Sequence, residues 1–168
     1  MSAFPLTRRA ALAALGALAL PPLAVQSAQA QPGVRFRNIV VDVSPLRASA
    51  GDPTAAWVEQ ALPRALEQAL GGYMAPGDRN GVTLVARIDY LYLGPNHGVG
   101  FFRFSQDTIN GTLLVRGPRR GVAAAPIRAI TSYYPTAVDQ PLRVESNHWR
   151  VIALAQAFAG WAPQKLGL

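Results

Sequence analysis

The sequence predicts an α+β fold, a two-layer sandwich in which a mainly antiparallel four-stranded sheet carries two helices on one face in the order β-α-β-β-β-α. Four segments alternate between apolar and polar residues, a pattern typical of strands with one buried face. Two further segments place apolar residues at helical spacing, and each therefore predicts a helix with one apolar stripe. Helices of this kind cover the apolar side of a sheet, which gives the two layers.

The first strand is predicted over residues 34–43, because Ile39, Val41 and Val43 fall on one face. Pro45, followed by a stretch rich in alanine, serine and glycine, is predicted to end this strand. The first helix should then cross over to the next strand in the usual right-handed sense.

That helix is predicted to begin at Asp52-Pro53, since Asp52 can cap free backbone amides and proline suits a first turn. Its apolar stripe consists of Val58, Leu62, Ala65, Leu66, Ala69 and Leu70. Gly71-Gly72 should end the helix. Pro63 lies within the pattern, so we expect a kink near Glu59 or a break into two shorter helices.

Three more strands are predicted over residues 82–93, 107–116 and 126–134, and a final helix runs from about 145 to 161 and ends by Pro163. The inward residues of the three strands are Leu84, Ala86, Ile88, Tyr90 and Tyr92, then Ile109, Leu113 and Val115, then Ile127, Ala129 and Tyr133. Those of the helix are Val151, Leu154, Ala155, Phe158 and Ala162. Residues 117–121 predict a hairpin tip, and residues 94–106 form a longer connection.

Residues 1–30 are predicted to be a cleavable export signal. Thr7-Arg8-Arg9 supplies positive charge, residues 10–20 are apolar, and Ala28-Gln29-Ala30 is a small-x-small cleavage site. The apolar run is shorter than the roughly 20 residues that span a bilayer. We therefore expect cleavage after Ala30, and a single domain over 31–168 that works in the periplasm or is secreted, with no transmembrane segment.

The paired arginines resemble the twin-arginine export signal, whose motif is Ser/Thr-Arg-Arg-x-Phe-Leu-Lys. Thr7, Arg8, Arg9 and Leu12 match that motif, while Ala11 and Ala13 replace its phenylalanine and lysine. This resemblance implies export in the folded state. An ordinary secretion signal is the alternative.

The absence of cysteine limits the chemistry that the chain can perform. It excludes disulfides, thiolate metal sites, cysteine nucleophiles and the lipid-bearing cysteine of a bacterial lipoprotein. Removing Arg8 and Arg9 lowers the net charge from +7 to +5, which favours acidic partners such as lipid phosphates. Every basic residue except Lys165 is an arginine, and the codon bias of a GC-rich genome is the alternative cause of this composition. Nucleic acid is disfavoured, because the charge is dispersed and no basic stretch interleaves with aromatic residues.

No catalytic residue, metal site or cofactor is predicted. The carboxylates Asp42, Asp52, Asp89, Asp107 and Asp139 are scattered singly, without the spacing of a metal site. His148 is expected to be a partly exposed residue in the first turn of the final helix. A small periplasmic hydrolase that uses His97 and Asp107 beside Ser105 is the less favoured alternative, since no nucleophile motif supports it.

The segment Gly98–Phe104 is the predicted contact surface. Phe101, Phe102, Arg103 and Phe104 lie in a glycine-rich connection, where exposed aromatic residues indicate a partner or a membrane. In the alternative interpretation, Phe102 and Phe104 point into the core. Arg119 and Arg120, at the predicted hairpin tip, suit a lipid phosphate or simply a solubilising turn.

The aromatic residues elsewhere suggest a ligand pocket and helix packing. Tyr90, Tyr92, Tyr133 and Tyr134 are predicted to line a pocket between sheet and helices, which would make the protein a small-ligand carrier or sensor. Trp57, Trp149 and Trp161 are predicted to pack helices on the sheet.

The first strand, Val-Arg-Phe-Arg-Asn-Ile-Val-Val, and the helix at 57–70 resemble three families of periplasmic α+β domains. They are the lipopolysaccharide-assembly lipoproteins, the auxiliary lipoproteins of lipid-transport ABC systems and the N-terminal domain of TolB. The resemblance implies a non-catalytic binding or scaffolding role with envelope components, either an envelope protein or anionic lipid. The chain departs from the two lipoprotein families because it has no cysteine.

Overall fold

The computed structural model describes residues 33–95, 105–117, 120–133 and 143–168. Within them lie four strands, β1 (Phe36–Asp42), β2 (Val82–Tyr92), β3 (Ser105–Gly117) and β4 (Arg120–Tyr133). Three α-helices accompany them, α1 (Ser44–Ala50), α2 (Thr54–Ala69) and α3 (Arg143–Leu166), together with a short 3₁₀ turn at Gly71–Tyr73. The predicted export signal, residues 1–30, lies outside the described residues.

The strands form one sheet in the order β1-β2-β3-β4. β1 and β2 run parallel because α1 and α2 return the chain to the end where β1 began. β2, β3 and β4 are joined antiparallel, and Gly117 pairs with Arg120 across the predicted hairpin. The α+β prediction is confirmed, with a mixed sheet that is mainly antiparallel.

The core lies between one face of the sheet and the helices. From the sheet it takes Leu84, Ala86, Ile88, Ile109, Leu113, Ala125, Ile127 and Ala129. From α2 it takes Ala55, Val58, Leu62 and Leu66, and from α3 the five predicted inward residues with Ala159 and Leu166. The opposite face of the sheet carries alternating exposed residues such as Arg87 and Arg128. One buried and one wet face is what the alternating pattern predicts.

A third helix, α1, occupies the alanine-, serine- and glycine-rich stretch around Pro45, for which the sequence predicts only the end of the first strand. The Asp42 carboxylate accepts the Ser44 amide at 3.0 Å, and Pro45 falls in the first turn, where its missing N–H costs nothing. The hydrogen bonds from Ser44 hold the pKa of Asp42 below its usual value. The structure therefore has one helix more than the two predicted, and this helix contributes Leu46 to the core.

Both long helices pass through a proline without ending. α2 is one continuous helix across Pro63, which excludes the expected break into two shorter helices, and fully buried Leu62 and Leu66 flank that position. α3 passes through Pro163, and buried Ala162 and Leu166 hold its last turn on the core. Burial on both sides of each proline offsets the lost backbone hydrogen bond. The predicted capping role of Asp52 is confirmed, since its carboxylate accepts the Ala56 amide at 3.1 Å.

A bulge in β2 changes which residues face the core. The pairing with β3 shifts between Ile88 and Tyr90, so Leu91 is buried, while Tyr90 and Tyr92 are each 46% exposed. The prediction that both tyrosines face the helices is therefore wrong, because one extra residue reverses the alternation. Gly111 pairs with Ile88 at this point, and a Cβ there would lie 2.5 Å from the Arg87 carbonyl oxygen.

Candidate functional site

The two ends of the sheet differ in what they carry. At one end lie the first residues of β1 and β2 and the hairpin between β3 and β4, since Phe36 pairs with Val82 and Thr83 pairs with Arg116. We call this the terminal end, because the described chain begins there at Gly33. At the other end Tyr92, Thr108 and Ile130 lie side by side, and the 94–106 connection leaves the sheet there. We call it the aromatic end.

A buried ion pair fixes the base of the 94–106 connection at the aromatic end. Asp107 is 1% exposed and Arg150 is 5% exposed. The Arg150 Nε donates to Asp107 Oδ2 at 2.8 Å, and its Nη2 bonds Asp107 Oδ1 as well. Arg150 Nη2 also donates to the Gly94 carbonyl at 2.7 Å, while the Gly94 amide donates to Asp107 Oδ1 at 3.0 Å. The end of β2, the start of β3 and α3 are thereby held together.

This pair is well satisfied for buried charges. The planar guanidinium meets both carboxylate oxygens, the geometry that makes arginine suited to such pairs. Arg150 Nη1 donates to Asn147 Oδ1 at 3.1 Å, so a third donor group is used within α3. Burying two charges is costly unless their hydrogen bonds are made, and here those bonds hold Gly94 and Asp107 against α3.

The sequence carries one signal for this pair, which the strand prediction does not use. Asp107 has the same parity as Ile109 and Leu113, so it belongs to the inward face of β3. An ionised side chain on an apolar face requires a buried partner of opposite charge. Which arginine would supply it was not readable, because Arg150 lies 43 residues away.

Exposed apolar side chains also lie at the aromatic end, from which the 94–106 connection leaves the sheet. Trp149 is 69% exposed and Val144 is 66% exposed, both in the first turns of α3, and Tyr92 and Ile130 are about half-exposed on the sheet. Arg150 places the start of α3 beside Gly94, so all four residues lie towards the aromatic end, Tyr92 and Ile130 on the open face of the sheet and Val144 and Trp149 on the helical layer. We call Tyr92, Ile130, Val144 and Trp149 the aromatic-end patch. Large exposed apolar residues concentrated at one end of a domain indicate a contact surface.

The tryptophans are only partly placed as predicted. Trp57 on α2 is partly buried and stacks on the His148 ring, with centroids 5.3 Å apart. His148 is itself partly exposed, as predicted, but it lies in the second turn of α3 because the helix begins at Arg143. Trp149 and Trp161 are exposed, so their prediction as packing residues is wrong. Both lie off the inward stripe of α3, which is already filled by smaller residues that fit closely on the sheet.

Of the predicted contact residues, only Arg120 lies within the described part of the chain. Phe101, Phe102, Arg103 and Phe104 lie outside the described residues, but the two stems of their connection are at the aromatic end. Arg119 also lies outside them, whereas Arg120 begins β4 at the terminal end. β3 separates the two regions by about 40 Å, the length of its 13 residues. Arg120 and the stems of the 94–106 connection therefore lie at opposite ends of β3 and β4.

Two residues of the predicted tyrosine cluster, Tyr92 and Tyr133, lie at the aromatic end. Tyr133 ends β4 opposite Ser105, one of the stems of the 94–106 connection, and Tyr92 lies two strands away. Tyr134 lies outside the described residues. Tyr90 and Tyr92 face away from the helices, so they line no space between sheet and helices.

The hydrolase hypothesis gains no support from Asp107. Both oxygens of that carboxylate accept hydrogen bonds from Arg150 or Gly94, so it holds the fold together. His97 lies outside the described residues. Among the residues that the structure describes, no three His, Cys, Asp or Glu side chains group closely enough to hold a metal ion. No helix in this described part is both long and apolar enough to cross a bilayer.

Solved structures of partial similarity to this chain include two bacterial lipoproteins. A minor lipoprotein from Acinetobacter baumannii has a TM-score of 0.43 and 11% identity, covering 77% of this chain and 94% of its own. The rare lipoprotein B from Shewanella oneidensis has a TM-score of 0.37 and 13% identity, covering 76% and 94%. No protein-family model and no curated protein matches the chain. At these values neither structure assigns a role to a residue here, and the resemblance to the three periplasmic families stays a prediction.

Proposed function

We propose that this chain is an exported, non-catalytic binding domain that contacts the anionic lipid surface of the cell envelope through its aromatic end. The observation that carries the proposal is the aromatic-end patch, four exposed apolar side chains at the end of the sheet from which the 94–106 connection leaves, two on the open sheet face and two on α3. A soluble domain rarely gathers large apolar side chains at one end without a surface to meet.

The chemistry of the patch suits the boundary between water and lipid. Tryptophan and tyrosine have an apolar ring and a polar edge, and they concentrate where one side is wet and the other is apolar. Val144 and Ile130 add purely apolar area beside them. The predicted contact segment contributes three phenylalanines and Arg103, whose guanidinium suits a lipid phosphate.

The buried Asp107–Arg150 pair gives this surface a fixed support. Its hydrogen bonds join Gly94, the last sheet-proximal residue before the predicted contact segment, to β3 and α3. A connection with a fixed base loses less conformational freedom when its tip binds than one with a free base. We propose that the pair acts in binding through this positioning, while the patch touches the lipid.

Flotation with lipid vesicles tests the proposal. The full chain is expressed in a bacterium, the protein is purified from the envelope extract, and its mass is measured to test cleavage after Ala30. We expect it to float with phosphatidylglycerol vesicles and to bind phosphatidylcholine vesicles much less. Trp149→Ala should weaken binding about tenfold, which corresponds to about 1.4 kcal/mol of lost apolar burial.

Tyr73→Ala is the matched control, because Tyr73 is an exposed aromatic residue at the terminal end. This variant should float like the unchanged protein. Equal losses in Tyr73→Ala and Trp149→Ala, or no loss in Trp149→Ala and Tyr92→Ala together, would contradict the proposal. Recovery of one envelope protein that depends on Trp149, with no vesicle binding, would favour a protein partner instead.

A further inference from the structure

A cavity of about 590 Å³ lies at the β4 edge of the sheet, away from the aromatic-end patch. Its walls come from β2, β3, β4 and the last turns of α3. The polar and aromatic residues among them are Asp89, Asn110, Thr112, Arg128, Trp161 and Lys165. We infer that this cavity binds an acidic saccharide, meaning a hydroxylated sugar ring that carries one carboxylate or phosphate group.

The charges of the cavity select an acidic ligand. Asp89 is already neutralised by Arg87, whose Nε lies 3.0 Å from the carboxylate. Arg128 and Lys165 form no ion pair with a carboxylate in the described part of the chain. Two positive side chains from different elements therefore face one cavity without an internal counter-charge. A carboxylate or phosphate on the ligand supplies that charge.

The remaining groups suit a hydroxylated ring. Trp161 is half-exposed at the cavity wall, and a tryptophan offers a flat apolar surface for the apolar face of a sugar. Thr112 and Asn110 offer side-chain donors and acceptors from neighbouring positions of β3. The Oδ1 atom of Asn110 is buried and accepts no hydrogen bond within the described structure. An unsatisfied acceptor costs free energy, and rotation of the amide towards a ligand hydroxyl would satisfy it.

The cavity has the size of a small-molecule site, since such sites span about 300 to 1,000 Å³. It is also separate from the proposed lipid contact. Trp161 lies 12 residues beyond Trp149 on α3, about 18 Å along the helix axis. Ligand binding here does not rest on the lipid proposal, and either can fail alone.

Saturation-transfer NMR and calorimetry with galacturonic acid test the inference on the full chain. Saturable binding is expected, with galacturonic acid or glucose 6-phosphate at least tenfold tighter than glucose. Trp161→Ala should weaken binding at least tenfold, and Arg128→Gln and Lys165→Gln about threefold to tenfold each. Raising the salt concentration should weaken binding of the acids in the unchanged protein and have less effect in the two glutamine variants.

Trp149→Ala serves as the control, because it removes another exposed tryptophan from the same helix outside the cavity. It should leave galacturonic acid binding unchanged while lowering vesicle flotation, and Trp161→Ala should do the reverse. Circular dichroism confirms that each variant is folded. No saturable binding of either acid, equal binding of glucose, equal binding of benzoate, or binding indifferent to Trp161→Ala would each overturn the inference.

Discussion

The aromatic end and the terminal end of the sheet are held together by different kinds of interaction. At the terminal end, backbone groups connect the chain, since the Ala75 amide donates to the Phe36 carbonyl at 2.8 Å and the Val82 amide donates to the Arg35 carbonyl at 2.9 Å. At the aromatic end, two charged side chains do the equivalent work for Gly94. Backbone bonds survive most substitutions, whereas a buried ion pair fails when one partner changes.

This difference places the vulnerability of the fold where the proposed contact surface lies. The terminal end uses short turns, the 3₁₀ turn at Gly71–Tyr73 and the hairpin between Gly117 and Arg120. The aromatic end carries the 94–106 connection and the connection between β4 and α3. Long connections are where proteins place binding residues, and a rigid support makes them effective. Substitutions at the two ends should therefore differ in effect.

The largest effect is expected from Arg150→Met. It leaves the Asp107 carboxylate buried without its charged partner, which should lower the free energy of unfolding by about 3–5 kcal/mol in urea denaturation. The double variant Asp107→Asn, Arg150→Met removes both charges and should recover much of that loss. If the double variant is as unstable as Arg150→Met, the ion pair is not what supports the aromatic end. Arg47→Met, at an exposed ion pair, should leave the midpoint unchanged.

A smaller effect is expected from Gly111→Ala beside the bulge of β2. The added Cβ would lie 2.5 Å from the Arg87 carbonyl oxygen, so strands must shift at a cost of about 1–3 kcal/mol. Gly72→Ala at the terminal end meets nothing within 4 Å and should change stability by less than about 0.5 kcal/mol. Thermal unfolding of the pair measures the difference. Equal melting temperatures would show that the bulge tolerates a side chain.

The smallest effect is expected from Asp42→Ala, and it should depend on pH. The hydrogen bond from Ser44 to this carboxylate should contribute about 0.5–1 kcal/mol at neutral pH. Since folding lowers the pKa of Asp42 below 3.8, its contribution is complete above that value and disappears as the pH falls through the folded pKa. Urea denaturation of both proteins at pH 7 and pH 3 checks this. A difference that grows towards pH 3 would contradict it.

The layered architecture follows from local sequence patterns, so it could be predicted from the sequence. The stripes of α2 and α3 and the alternation of β3 are set by burial against one neighbour, so residues such as Leu62, Phe158 and Ile109 could be placed inside directly. The inward parity of Leu84, Ala86 and Ile88 was readable for the same reason. Beyond Ile88 the alternation fails, because a bulge depends on the partner strand and not on the segment itself.

The candidate site depends on contacts between residues far apart in the sequence, so less of it could be predicted. Asp107 was assigned to a strand without a partner, since nothing in its neighbourhood indicates an arginine 43 residues later. Trp149 was assigned to packing on its apolar character, although its helical position points away from the core. Arg128, Trp161 and Lys165 come to one cavity from two elements, an arrangement that follows only once α3 lies on β4.

The sequence separation of Asp107 and Arg150 has a consequence for synthesis. When the ribosome has made all four strands but not yet α3, the carboxylate at the start of β3 has no guanidinium to meet. The last 26 residues of the chain, from Arg143 onwards, must emerge before the aromatic end acquires its final form. A prematurely terminated product thus lacks the ion pair that joins Gly94 and Asp107 to α3.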